Sequence, residues 1–126
     1  LIISVIDTQK HEAFCLAIGD GCIYCDGKMY EYEQNNTPDY LSYHLHQNFE
    51  EWYISQHQKV HMQDFQNIAI CTDGIFSFQK QKKAILDKTE NDFIDFLLSD
   101  EKDFSLPNFF EKKLRFIEQQ WLYDLT

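Results

Sequence analysis

Residues 13–30 read AFCLAIGDGCIYCDGKMY. Two short apolar runs, residues 13–18 and 22–25, flank the tight turn Gly19-Asp20-Gly21. Asp26-Gly27 then supplies a strong hairpin signal, because both residues tolerate a positive φ. After it, residues 28–32 alternate, with Met29 on one face and Tyr30 and Tyr32 on the other. Upstream, residues 1–6 are apolar and partly β-branched, and polar residues 9–12 interrupt them. Short apolar runs joined by brief polar turns predict an antiparallel meander.

Beyond this region, residues 33–39 read as a polar loop and residues 40–46 as an extended segment. Residues 48–64 show no clean period. Ile68-Ala69-Ile70-Cys71 is apolar on both faces, which predicts a central strand buried on each side. Thr72-Asp73-Gly74 ends it. Residues 79–88 are basic and polar and fit either a loop or a helix. Thr89, with acidic residues just after it, is a helix start, and Phe93, Phe96 and Leu97 follow at helical spacing. After Pro107, a second helix carries the apolar stripe Phe110, Leu114, Ile117 and Trp121, with Lys112, Lys113, Glu118 and Gln119 facing water. The chain is therefore α+β, with helices covering one face of the sheet. It has no internal repeat and no linker between two domains.

Composition narrows the function. Hydrophobic residues make up 44% of the 126, too many for a disordered chain. A formal net charge of −10 argues against a nucleic-acid binder, which needs a cationic face for phosphates, and against charge-driven binding to anionic lipid. No apolar run approaches the roughly 18 residues of a membrane span. Cys15, Cys22, Cys25 and Cys71 read as reduced thiols of a cytoplasmic protein. Leu1 in place of methionine suggests a chain taken from something longer.

Two places combine Asp with Gly at the end of an apolar run, around Asp20 and around Asp73. A strand end is held by its sheet, and a carboxylate projecting from it suits a hard cation. Glycine beside it lets backbone or ligand come close. Taken singly, such a pair is more often only a turn whose Asp bonds its own backbone. Other constellations are weaker. Cys22 and Cys25 have zinc-pair spacing but would point to opposite faces of a strand, so both read as small hydrophobes. His44 with His46, and His57 with His61, lack a third ligand and read as surface histidines. Lys80, Lys82 and Lys83 read as a solvated face, or as a steering patch for an anionic substrate.

Taken together, the motifs resemble a family. Residues 14–23, FCLAIGDGCI, look like the Gly-Asp turn between central strands of type 2C metal-dependent serine/threonine protein phosphatases, in the Gly-Asp-Gly form of bacterial members. Residues 67–75, NIAICTDGI, look like the family's later strand ending in Thr/Ser-Asp-Gly. Asn36-Thr37 followed by Tyr40-Leu41-Ser42 is similar to a weaker bacterial pattern. Asp124-Leu125-Thr126 resembles the end of the closing Asp-Asp/Asn-x-Thr motif. The order and spacing of the motifs match along nearly the whole chain.

The resemblance implies a β-sandwich of antiparallel sheets flanked by helices. It implies two Mn²⁺ or Mg²⁺ ions, with a third weaker site in some members, and a metal-activated water that attacks phosphoserine or phosphothreonine in a protein substrate. Carried over residue by residue, Asp73 matches a core metal ligand and Asp20 the accessory aspartate of the weak site. Gly74 matches the glycine that permits close packing there. Asp124 matches the second acid of the closing pair. The first acid, which is the ligand, is Tyr123 in this chain, and an often acidic position is Ser77. The family's Asp-Gly-x-Gly turn and upstream Glu-Asp pair have no counterpart. The expectation is that residues 1–126 are the C-terminal portion of a single domain whose N-terminal portion is absent, inactive by themselves. The alternative is a non-catalytic interaction or regulatory domain of the same fold.

Overall fold

Strand-forming runs dominate residues 1–33. In a computed structural model, which describes residues 1–33, 37–84 and 87–125, they become β1 (Ile2–Asp7), β2 (Glu12–Ala17), β3 (Gly21–Cys25) and β4 (Lys28–Tyr32). After them come α1 (Phe49–Ser55), β5 (Lys59–Gln63), β6 (Ile68–Cys71), β7 (Phe78–Lys80), α2 (Glu90–Leu98), α3 (Phe109–Phe116) and β8 (Tyr123–Leu125). All strand pairings are antiparallel. Leu1–Thr72 and Asp73–Thr126 form two compact units.

In the first unit the expected single meander is divided. β1 and β2 pair with β5 in one sheet, and β4 and β3 pair with β6 in another. Gly19-Asp20-Gly21 is thus the point where the chain leaves one sheet for the next, rather than a hairpin turn. A core of Ala13, Cys15, Met62, Ile23, Cys25 and Phe65 draws on both sheets, as in a sandwich. Cys15 and Ala13 face this core, whereas Leu16 points the other way along β2 and packs with Ile18 and with Trp52 of α1.

Three local expectations are corrected. Residues 41–44 are not extended but form a 3₁₀ turn, Leu41–His44. The stretch without a clean period contains α1, which begins where the Asn48 side chain accepts the Glu51 N–H at 3.1 Å and Glu50 and Glu51 sit favourably at the helix start. It also contains β5, whose Val60 and Met62 pack towards the core. β6 is an edge strand of its sheet, β3 being central, and Ile70 is 51% exposed.

The second unit is built around Phe93, Leu97, Ile117 and Tyr123. Thr89 caps α2 reciprocally: Asp92 N–H donates to the Thr89 hydroxyl, while the Asp92 carboxylate accepts from Thr89 N–H at 2.7 Å. Those bonds hold the Asp92 carboxyl below the ordinary carboxylate range. The segment that fitted loop or helix begins instead with the end of β7, which pairs with β8. α3 stops at Phe116, a π turn spans Ile117–Trp121, and Leu122 at φ 53° turns the chain into β8.

Lys112, Glu118 and Gln119 are exposed as expected, but Lys113 is 4% exposed. Its ammonium donates to the carbonyl oxygens of Phe96 and Asp100, which closes the C-terminal end of α2, and lies 4.6 Å from the Phe96 ring centre. Burial pulls its pKa down, with Asp100 opposing. The apolar stem of lysine and the open carbonyls at a helix end together make this burial possible. Phe110, expected in the stripe, is 41% exposed.

Candidate active site: the aspartate-glycine turns

The three Asp-Gly steps of the chain do different things. Asp26, at φ 47°, accepts the Gln66 and Asn67 N–H groups at 3.0 and 2.7 Å and so ties the β3–β4 hairpin to the approach of β6. It is structural, as most Asp-Gly turns are.

Asp20 is exposed between two constrained glycines. Gly19 has φ 81° and Gly21 φ 148°, values that L side chains rarely adopt. A Cβ on Gly19 would stand 3.0 Å from the Asp39 carbonyl oxygen. One on Gly21 would stand 2.9 Å from Ile2 Cδ1 and 3.2 Å from the Cys71 carbonyl oxygen. The sequence needs both glycines to hold Asp20 at this crossing. Gly21→Ala is expected to lower stability by on the order of 2 kcal/mol or more, from backbone strain and a displaced β6 carbonyl together. Gly27→Ala is the control, because Gly27 has φ 85° but nothing within 4 Å of the added carbon. Urea midpoints should fall further for Gly21→Ala, and equal shifts would mean that close approach contributes nothing.

Asp73 opens the 3₁₀ turn Asp73–Phe76, immediately after Thr72 and the end of β6. It is exposed, and among the described residues no hydrogen bond or ion pair engages its carboxylate. Gly74 is half-buried, and its carbonyl accepts the Ser77 N–H at 3.1 Å. Asp124 lies on β8 opposite Gln79 and is exposed. Its neighbour Tyr123 points inward by strand alternation, is 6% exposed, packs tilted against Phe93 with ring centres 4.1 Å apart, and donates its hydroxyl to the Lys88 carbonyl. Tyr123, which the sequence resemblance would set at the closing ligand position, is therefore a core residue. Asn36 and Thr126, which completed two of the weaker motif matches, lie outside the described residues.

Asp20 belongs to the first unit; Asp73, Gly74 and Asp124 belong to the second. Their exposed carboxylates have the right chemistry for Mg²⁺ or Mn²⁺. Among the described residues no three His, Cys, Asp or Glu come together as a metal-binding group.

The other candidates resolve into structure. Cys22 and Cys25 are buried on opposite faces of β3, and all four cysteines are thiols rather than disulfides. His61 lies on β5, stacked 4.3 Å from Phe14, and has no helical partner in His57. His44 is not a solvated surface residue: it is half-buried, bonded through Nε2 to the Asp39 carboxylate at 2.6 Å and set 5.1 Å from the Trp52 ring. Sequence reading missed this pair because only the 3₁₀ turn brings residues five apart together. Lys80, Lys82 and Lys83 are exposed.

Antiparallel sheets, two of them sharing a core in the first unit, and three α-helices among the described residues make the fold α+β. A model of the family described as Protein phosphatase 2C matches residues 1–117, and the chain belongs to that family. Comparison with curated proteins gave no match. Comparison with solved structures gave none either. No helix among the described residues is long and apolar enough to cross a membrane.

Proposed function

We propose that this chain is part of a cytoplasmic phosphatase that hydrolyses phosphoserine and phosphothreonine in proteins and requires Mn²⁺ or Mg²⁺. The reaction returns the hydroxyl side chain and inorganic phosphate. Asp73 serves as a core ligand, Asp20 and Asp124 as accessory acids, and Gly74 keeps the approach to Asp73 open. The observation that carries the reading is the exposed, unengaged Asp73 carboxylate at the start of its turn, in a chain that belongs to the Protein phosphatase 2C family. One candidate core carboxylate, Asp73, does not by itself hold two metal ions against water, so activity requires further acidic ligands, and the 126 residues alone are expected to be inactive.

The test is phosphate release from phosphoserine and phosphothreonine peptides by the longest natural form of the protein, with and without Mn²⁺. Asp73→Asn is expected to lower kcat/KM more than about a hundredfold, beyond the loss typical of residues that only orient a ligand. Unchanged turnover in that variant removes Asp73 from the site. No turnover in any natural form, with folding intact, makes the protein a non-catalytic member of the family.

A further inference from the structure

We infer that Cys22 and Cys71 are a redox-modification site: a dithiol that closes reversibly into a cross-strand disulfide beside the Gly19-Asp20-Gly21 turn. β3 and β6 pair antiparallel with Cys22 directly opposite Cys71. Directly opposed residues of such a pair have Cα atoms about 4.5–5.5 Å apart. That range lies inside the roughly 4.4–6.8 Å that a disulfide spans. Opposed side chains leave the same face of the sheet, so the two thiols stand side by side at this rung.

The surroundings favour this pair over any other. Gly21 lets the Cys71 carbonyl lie 3.2 Å from where a Cβ would stand, so the strands are held close at this rung. Cys22 is fully buried, whereas Cys71 is half-buried on an edge strand, so Cys71 is the more accessible of the two residues. Cys15 and Cys25 sit within the shared core on strands of different sheets, and Cys15 is already bonded to the Ser4 hydroxyl at 3.1 Å.

The co-reactant is a low-molecular-weight disulfide such as oxidised glutathione. The Cys71 sulfur attacks one of its sulfurs, breaking that S–S bond and releasing one small thiol. The Cys22 sulfur then attacks the Cys71 sulfur of the mixed disulfide, forming the Cys22–Cys71 bond and releasing the second small thiol. The two protein protons end on the released thiols, and two electrons pass from protein to oxidant. In a reducing compartment such a bond is transient, as a sensor requires. Cys22 lies two residues after Asp20 and Cys71 two before Asp73, so the bond joins the segments that lead from one turn and into the other. The inference does not depend on phosphatase activity.

The experiment incubates the full chain with oxidised glutathione, alkylates the remaining thiols and maps non-reduced peptides by mass spectrometry. The expected result is one linked peptide pair containing Cys22 and Cys71, with Cys15 and Cys25 alkylated. Closing a loop of about 50 residues should raise the melting temperature by on the order of 10 °C, and dithiothreitol should reverse it. Cys71→Ser, at the half-buried position, should show neither linkage nor shift. Persistence of all thiols, a stable glutathione adduct without closure, or linkage of Cys15 to Cys25 would each overturn the inference.

Discussion

Phe93→Ala is expected to destabilise the second unit by about 3–5 kcal/mol. Phe93 is 0% exposed, and its ring lies 5.2 Å from Phe78, 5.3 Å from Trp121 and 4.1 Å from Tyr123. It is the side chain through which α2, β7, β8 and the π turn share one core. Truncation removes the burial of a whole ring and leaves a cavity bounded by other rings, whose rigid planes close in poorly. A segment of this size holds only about 3–8 kcal/mol of stability to begin with. The loss should therefore remove most of the protection of backbone amides in α2, β7 and β8, read by hydrogen exchange. A loss below about 1 kcal/mol would show that this ring cluster is not the core of the unit.

How far the sequence can be read varies by element, for physical reasons. β1 to β4 were legible because short apolar runs, the alternation of residues 28–32 and the Gly and Asp punctuation are local signals. Their division between two sheets was not, because pairing with β5 and β6 is a long-range choice. The start of α2 was legible from Thr89 and Asp92, whereas the equivalent signal at Asn48 and Glu51 was obscured by aromatic and Gln-rich neighbours. Apolarity on both faces of β6 says nothing about what covers them, so Ile70 reads as core yet lies exposed at an edge. Lys113 reads as surface because its charge is local, while the carbonyls it satisfies belong to the end of another helix and the loop after it. At the candidate site, Asp20 and Asp73 were both legible as exposed acids at strand ends, and the structure adds why Gly19 and Gly21 must flank the first.

Tyr123→Asp tests the proposed match of this position to the closing acid of the family's motif. The substitution restores the acid that the motif would carry at this position, and the expected result is unfolding of the second unit rather than a new metal site. The carboxylate would replace a ring that is 6% exposed and packed against Phe93, and it would leave the Lys88 carbonyl without the tyrosine hydroxyl. Loss of the ring alone costs about 3–5 kcal/mol, and an unpaired buried carboxylate adds a penalty of several more. Tyr123→Phe keeps the ring and removes one hydrogen bond, so it should cost about 1 kcal/mol. Asp124→Asn, on the outward face of the same strand, leaves the aromatic core intact and should cost less than Tyr123→Asp. The ordering of these variants in chemical denaturation separates packing from charge. If Tyr123→Asp folds and Mn²⁺ raises its unfolding midpoint while leaving the parent unchanged, the position retains its ligand geometry and the tyrosine is a simple substitution in a metal site. If it unfolds at all Mn²⁺ concentrations while Tyr123→Phe survives, β8 has been rebuilt around an aromatic core. Any acid that completes the proposed metal site must then come from elsewhere.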